Sequence, residues 1–431
     1  MESLEVLKGP QGTLFGRNST SGAILVETKR PDYDLGGYVT VKVGEYNSRV
    51  FEGAVDLPII EDKLAIRVAG QIDERDGHTK DMLHPNEDYY GNHDRKNFRV
   101  SVLFEPTDTL SNLTTYEVNK TDEKGAPVVP VGFDLGNPNA LVNNVPYYNG
   151  SLILTGPTTF IPCNANPACD AQAMQAQQEA AGVRKVWTDT SSFLDQELKS
   201  FGNITKWEPD TFTLKNVFGY REIFSNSVND IDGSIFPLVG ADNVVSTKQY
   251  TNELQISGDA LDGYLEYIGG LFWLKSEPDE GNRLALQVVA QTGTLYTAPY
   301  ISSAARPFNG AYGPSDFYTD TSKAAYGQIS YDFSELSAVL DGLSIDVGFR
   351  HTKDKSENCP VSGTSITTPV PTADDCSSGY SAEFSKTTYN LGLNYQINPD
   401  NMVYVVNRTG YRAGGCEFAG SWWHLSGLSR I

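Results

Sequence analysis

Apolar and polar residues alternate with a period of two along most of this chain. In the clearest run, residues 389–397, tyrosine, leucine and isoleucine fill one face, and the other face is Asn390, Gly392, Asn394 and Gln396. Alternation of this kind predicts β-strands, and so polar a second face suits a wall between lipid and a wet lumen better than a sandwich core. Thirteen runs occur, near 37–45, 48–57, 62–75, 94–105, 109–121, 197–208, 211–224, 246–257, 263–276, 322–334, 342–354, 383–397 and 401–412.

The connections between these runs alternate between short and long. Short ones lie at 58–61, 106–108, 209–210, 258–262, 335–341 and 398–400, and long polar ones at 76–93, 122–196, 225–245, 277–321 and 355–382. This order is typical of a transmembrane antiparallel β-barrel, which has short turns on one side of the membrane and long loops on the other. A soluble secreted β-rich protein, such as a carbohydrate-binding module, is the alternative, because sandwiches also alternate.

Composition excludes two classes of protein. With 33 Lys and Arg against 54 Asp and Glu, the net charge is -21, which argues against nucleic acid as a partner. The longest apolar run, Tyr267–Leu274, is too short for a transmembrane helix. Neither G-x-S-x-G nor H-E-x-x-H occurs, so we expect no enzyme activity and no catalytic residues.

Histidines in the 76–93 segment and cysteines in two other segments are the candidate ligands and cross-links. The histidines share their segment with several carboxylates but lack ligand spacing, so we expect a charged loop and no metal site. Two local cysteine pairs in polar segments indicate disulfides formed in an oxidising compartment, whereas a zinc site would want C-x2-C spacing. The predicted pairs are Cys163 with Cys169 and Cys359 with Cys376.

Residues 1–31 differ from the rest: a short strand enters a glycine-rich turn and a second strand, residues 23–28, leaves it. No phosphate-binding spacing is present. The string VLKGPQGTLFGRNSTSGAILVETKRP closely resembles the end of the plug domain of TonB-dependent outer-membrane receptors. Residues 251–257 and 398–415 resemble later landmarks of that family. The plug motif comprises Gly9, Pro10, Gly12, Gly16, Arg17 and Gly22.

The resemblance implies a fold and a domain division. Residues 1–31 would be the C-terminal end of a plug, and 32–431 the first part of a barrel with about 13 of an expected 22 strands. Alternation is lost after about residue 415, which suggests truncation or a frame change. We therefore expect a fragment that forms no working pore alone, because unpaired strand edges are costly in hydrocarbon.

The resemblance also implies a function, in the bacterial outer membrane: TonB-dependent uptake of a large scarce solute, most often a ferric siderophore. The implied partners are TonB, ExbB and ExbD, outer-membrane lipid and the small-molecule ligand, with no cofactor besides a transported ferric chelate. A saccharide, vitamin B12 or another nutrient remains an alternative ligand. A passive porin or an adhesin would not carry the plug motif.

One charge pair follows from the resemblance. Plug arginines of the family pair with glutamates of the barrel wall, so Arg17 is predicted to pair with Glu253 as a plug–barrel latch. Glu253, Gln255 and Ser257 alternate with Leu254 and Ile256, and the polar set is expected to face the lumen. The alternative is that Arg17 is a solvated loop residue and Glu253 an ordinary lumen side chain.

Overall fold

The structure is a computed structural model that describes residues 2–129, 141–142, 145–148, 151–152, 171–188, 190–231, 233, 239–279, 282–288, 315–361 and 379–414. One antiparallel sheet forms most of these residues, because each long alternating run pairs edge to edge with the run before and the run after it. The fold is thus mostly β, as predicted.

The strands in chain order are β1 (Ser3–Lys8), β2 (Gly22–Glu27), β3 (Gly36–Val43), β4 (Arg49–Ile60), β5 (Leu64–Arg75), β6 (Lys80–Asp81), β7 (His93–Thr107), β8 (Leu110–Glu123), β9 (Leu141–Val142), β10 (Val145–Tyr148), β11 (Ser151–Leu152), β12 (Lys185–Val186), β13 (Phe193–Trp207), β14 (Thr213–Asp230), β15 (Val239–Ala260), β16 (Leu265–Pro278), β17 (Asn282–Val288), β18 (Ser315–Asp332), β19 (Leu343–Val361), β20 (Tyr380–Asn398) and β21 (Asn401–Arg408). The described residues also form the α-helix α1 (Ala171–Ala181) and 3-10 turns at Leu261–Gly263, Phe333–Glu335 and Ala338–Leu340. Within the described ranges, no helix has the length and apolar character needed to cross a membrane.

The large sheet follows the chain without crossovers. Thirteen strands lie in the order β3-β4-β5-β7-β8-β13-β14-β15-β16-β18-β19-β20-β21, and the short β17 pairs with both β15 and β18. All thirteen predicted strands are present, so this prediction is confirmed. Within the described chain the sheet is not closed, since β3 and β21 are its two edges. This is the architecture of a partial barrel wall.

The two ends of the sheet differ as predicted, but several strands are longer than expected. Short turns join β4 to β5, β7 to β8, β13 to β14, β15 to β16, β18 to β19 and β20 to β21 at one end. At the opposite, long-loop end, β14 runs to Asp230, β15 begins at Val239 and β19 runs to Val361. These extensions escaped the sequence pattern because apolar residues such as Val228, Ala241 and Val244 are interspersed with polar ones without a regular period of two, so no alternation marks them.

The sheet has an apolar outer face and a polar inner face. On β20 the side chains of Leu391 and Leu393 are 48% and 47% exposed on the outer face, whereas Thr388 on the inner face is 2% exposed. Inner-face polar groups bond across strands, as where the amide of Asn394 donates to Asp346 Oδ2 at 2.7 Å. The interior of this fold is therefore a hydrogen-bonded polar layer rather than a hydrophobic core.

Candidate functional site

The N-terminal hairpin holds a loop against the inner face of the sheet. β1 pairs with β2 over six residues, from Ser3 opposite Glu27 to Lys8 opposite Gly22, which confirms the predicted strand pair. Between them runs the glycine loop, defined here as residues 9–22. Gly9, Gly16 and Gly22 have φ of 78°, 75° and 152°, a region that residues with a Cβ rarely adopt. The loop's sharp turns therefore depend on glycine.

Three polar contacts attach the glycine loop to the wall. Thr388 Oγ1 on β20 donates to Gly12 O at 3.0 Å. Asn18 N donates to the carbonyl oxygen of Tyr411, just after β21, at 2.7 Å. The loop is thus bonded through its own backbone, which explains why glycines and small residues dominate it.

The third contact is a charge pair that corrects the predicted latch. Arg17 Nη1 lies 3.4 Å from Asp354 Oδ1 on β19, and the Asp354 side chain is only 3% exposed. Glu253 instead accepts a hydrogen bond of 2.6 Å from the hydroxyl of Tyr326 on β18. The predicted pairing of Arg17 with Glu253 is therefore wrong in its partner: the strand register places a different carboxylate beneath the loop.

Glu253 is nevertheless connected to the glycine loop through Arg350. The Arg350 guanidinium lies 5.2 Å from the ring centre of Phe272 and 5.3 Å from that of Tyr326, whose hydroxyl holds Glu253. A Cβ added to Gly16 would lie 3.0 Å from Arg350 Nη2. Arg350, only 4% exposed, thus fills the space between wall aromatics and the loop backbone.

Sequence reasoning missed Arg350, Tyr326 and Asp354. The available signal was alternation: Val347 and Phe349 form the apolar face of β19, so Arg350 and Asp354 had to share its inner face. Cations and carboxylates on an inner face are candidates for contact with whatever fills the barrel. Identifying which of these carboxylates contacts Arg17 required the register between strands, and that register cannot be read from the sequence.

An open cavity adjoins the Arg17 contact on the long-loop side. Its volume is about 690 Å³, and it offers the guanidinium groups of Arg17 and Arg412 beside the carboxylate of Asp320. Two cations in a polar cavity can attract an anionic or strongly polar solute. The residues that line it are Arg17, Asn18, Thr20, Tyr318, Asp320, Ser356, Arg412, Ala413 and Gly414.

Comparison with known proteins identifies the family. Residues 132–415, about two thirds of the chain, match the family model described as TonB dependent receptor-like, beta-barrel. The chain belongs to this TonB-dependent receptor family. Over 71 residues it is 32% identical to the ferrioxamine B receptor of Salmonella typhimurium (strain SL1344), covering 16% of this chain and 10% of that protein.

Solved structures agree on the fold of this TonB-dependent receptor chain. The ferric yersiniabactin uptake receptor FyuA from Yersinia pestis superposes with a TM-score of 0.66 at 16% identity, over 96% of this chain and 52% of FyuA. The open form of the ferric-catecholate import receptor Fiu from E. coli K12 gives 0.59 at 16% identity, over 95% of this chain and 60% of Fiu. The chain thus spans roughly half the length of these structures.

The receptor's 76–93 segment packs against the chain that follows α1. β6 pairs in parallel with β12, and the hydroxyl of Thr188 donates to Asp81 Oδ2. Burial opposes the ionisation of Asp81, but hydrogen bonds from Thr188, His84 and the Leu83 N–H outweigh it and lower the pKa of this carboxyl. A buried, bonded carboxylate thus joins the two segments.

The three histidines of this segment do not converge. His84 Nδ1 lies 2.7 Å from Asp81 Oδ2, His78 bonds Thr79, and His93 lies 3.7 Å from Asp73. Among the described residues no group of three or more potential ligands could hold a metal ion. Cys359 is disulfide-bonded. The other predicted disulfide residues, Cys163, Cys169 and Cys376, lie outside the described residues.

Proposed function

We propose that this chain is part of a receptor for energised uptake of a ferric siderophore across the bacterial outer membrane, driven by TonB with ExbB and ExbD. The observation that carries the proposal is the glycine loop bonded to the inner wall through Thr388, Asp354 and the Tyr411 backbone. A loop held inside a barrel obstructs passive diffusion. Uptake past it therefore requires that the loop be displaced by work from outside the barrel.

The loop contacts suit an obstruction that is held firmly but can be released. Arg17 and Asp354 form one ion pair at 3.4 Å, with Arg17 22% exposed, so water can replace the contact on one side. The remaining bonds of the loop to the wall are single hydrogen bonds, each worth about 1 kcal/mol net. A modest pulling force on the loop can break them one after another.

The choice of a ferric siderophore as solute rests on two supports. The first is the sequence similarity to the ferrioxamine B receptor, and the second is the polar cavity beside Arg17 and Arg412. Fold likeness alone does not select the solute: one similar structure is the copper transporter OprC, with a TM-score of 0.55 at 11% identity. A non-iron nutrient is therefore the competing proposal.

The test is siderophore uptake by cells that carry or lack the complete gene. We expect a deletion strain to lose growth under iron limitation and uptake of radiolabelled iron carried by a hydroxamate siderophore, with both restored by the complete gene. A gene carrying Arg17→Ala and Gly16→Val should restore neither fully. Normal siderophore uptake in the deletion strain would show that the transported solute is another nutrient. Uptake that persists in a strain without TonB would contradict energised transport.

A further inference from the structure

Several lysines lie on the outer face of the sheet, at its long-loop end. Asp354 and Tyr326 point inward, since they contact Arg17 and Glu253. Because side chains of a strand alternate between faces, Lys353 and Lys355 on β19 and Lys323 on β18 point outward. Lys323 and Lys353 are both exposed.

Strand register gathers four lysines on this face. Lys323 stands directly opposite Lys353. One outward position further toward the long loops, Thr321 stands between Lys275 on β16 and Lys355 on β19. We name Lys275, Lys323, Lys353 and Lys355 the lysine patch.

Among the described residues, the centre of the patch has no counter-ion. Lys275 pairs with Glu277, and Lys355 Nζ lies 2.8 Å from Glu357 Oε1. In the described part of the chain, neither Lys323 nor Lys353 has an ion pair. Like charges directly opposite each other across an antiparallel pair are destabilising, so an external anion between them would relieve a cost built into the sheet.

A second lysine pair on the same face shows what a compensated arrangement looks like. Lys96 stands opposite Lys120 on β7 and β8. There, however, Lys96 Nζ lies 2.9 Å from Asp94 Oδ1 and Lys120 Nζ lies 3.3 Å from Glu197 Oε2. The missing carboxylates at Lys323 and Lys353 are thus a property of the patch and not of outward lysines in this protein.

The patch lies at the upper edge of the apolar band. Lys353 is ten residues from the start of β19 at Leu343, which at about 3.4 Å per residue and a tilt near 45° is about 24 Å, the height of such a band. The outward side chains of Leu271 and Phe349 lie between the patch and the short-turn end of the sheet, and they are 61% and 58% exposed. Cations therefore sit directly above a surface for hydrocarbon.

We propose that the lysine patch binds the phosphate-bearing headgroup of an anionic membrane lipid, whose acyl chains lie along Leu271 and Phe349. A headgroup phosphate supplies the anion that Lys323 and Lys353 lack, and the tails cover the apolar rows beneath it. A free anion would satisfy the lysines but leave those rows uncovered. This inference rests on the membrane placement that the proposed function implies, but its test needs no transport.

Trp273 provides a local probe, because it stands opposite Lys323 on the outer face. The full chain in mild detergent is titrated with phosphatidylglycerol brominated in its acyl chains, and quenching of Trp273 is taken as the difference from a Trp273→Phe variant. We expect saturable quenching that weakens with salt and that needs about 20-fold more lipid in Lys323→Gln/Lys353→Gln. Lys323→Arg/Lys353→Arg should bind like the unchanged chain.

The matched control is Lys96→Gln/Lys120→Gln, which removes a compensated pair and should leave the titration unchanged. Brominated phosphatidylcholine should quench without saturation. Equal titration curves for the unchanged chain and Lys323→Gln/Lys353→Gln would overturn the proposal, as would displacement of the lipid by an equal concentration of inorganic phosphate. Siderophore uptake should be kept by the glutamine variant, so failure of the transport proposal and failure of this one are separate results.

Discussion

Single glycines determine how closely the glycine loop approaches the wall. Gly9 and Gly16 have nearly the same positive φ, but no atom lies within 4 Å of a Cβ added to Gly9, whereas Arg350 crowds one added to Gly16. Gly9 therefore requires glycine only for its positive φ, whereas Gly16 also requires it because there is no room for a side chain beside Arg350. Only this second requirement concerns contact with the barrel wall.

Gly16→Ala should loosen the loop more than Gly9→Ala. Both changes carry a left-handed backbone penalty of about 1–2 kcal/mol, and only Gly16→Ala also displaces Arg350. Hydrogen–deuterium exchange at the Asn18 amide, which donates to Tyr411 O, should rise more for Gly16→Ala. Equal exchange in the two variants would show that Arg350 does not limit the approach of the loop.

The Arg17–Asp354 pair predicts coupled mutations. Arg17→Ala leaves a nearly buried carboxylate and should weaken loop seating by about 1–3 kcal/mol, as should Asp354→Ala, and the double variant should cost less than the sum. Leakage of a large antibiotic through the complete receptor is the measurement. Glu253→Ala is the control: combined with Arg17→Ala its effect should be closer to additive, and strong coupling there would restore the originally predicted latch.

At the scale of elements, alternation predicted the number and order of the long strands because membrane-facing and lumen-facing residues differ so strongly. It could not predict the ends of β14, β15 and β19 beyond the apolar band, because apolar and polar residues follow each other there without a regular period of two. The glycine loop was recognisable from its motif, but not its partner Asp354, because that depends on how the loop docks across strands distant in sequence.

The β6–β12 contact should open in acid. The pKa of Asp81 is lowered in the folded chain, so its contribution to stability is complete above the ordinary value of 3.8 and is lost as pH falls through the lower folded pKa. We expect hydrogen–deuterium exchange of the backbone amides around Val186 to become faster below about pH 4. Asp81→Asn should abolish that pH dependence, while Glu87→Gln, which removes another carboxylate with a lowered pKa, should leave most of it.

The loop cysteines give a second prediction at this scale. Non-reducing peptide mapping of exported protein should link Cys359 to Cys376 and Cys163 to Cys169, because each pair is close in sequence. Each ring should stabilise its loop by about 2–3 kcal/mol and the barrel little. A link between the two segments, or free thiols at these positions, would contradict the local pairing.

At the scale of the whole molecule, the exposed apolar outer face means that the protein needs detergent or lipid to stay in solution. Side chains such as Val39, Leu271 and Phe349 are 80%, 61% and 58% exposed, far beyond isolated surface residues. We expect far-UV circular dichroism to show β-structure when the chain is in detergent. In buffer without detergent we expect the chain to aggregate. A monodisperse, β-rich chain without detergent would favour the soluble alternative.

Two of the loop's neighbours, Arg350 and Asp354, belong to the same strand, and this bears on mechanical load. β19 is paired with β18 through eighteen residue positions and with β20 through sixteen. A pull transmitted through Arg17 along the barrel axis would load β19 lengthwise, so that many ladder hydrogen bonds resist together in shear. The few bonds of the glycine loop would yield first, and the wall would serve as a rigid anchor against which the loop is peeled away.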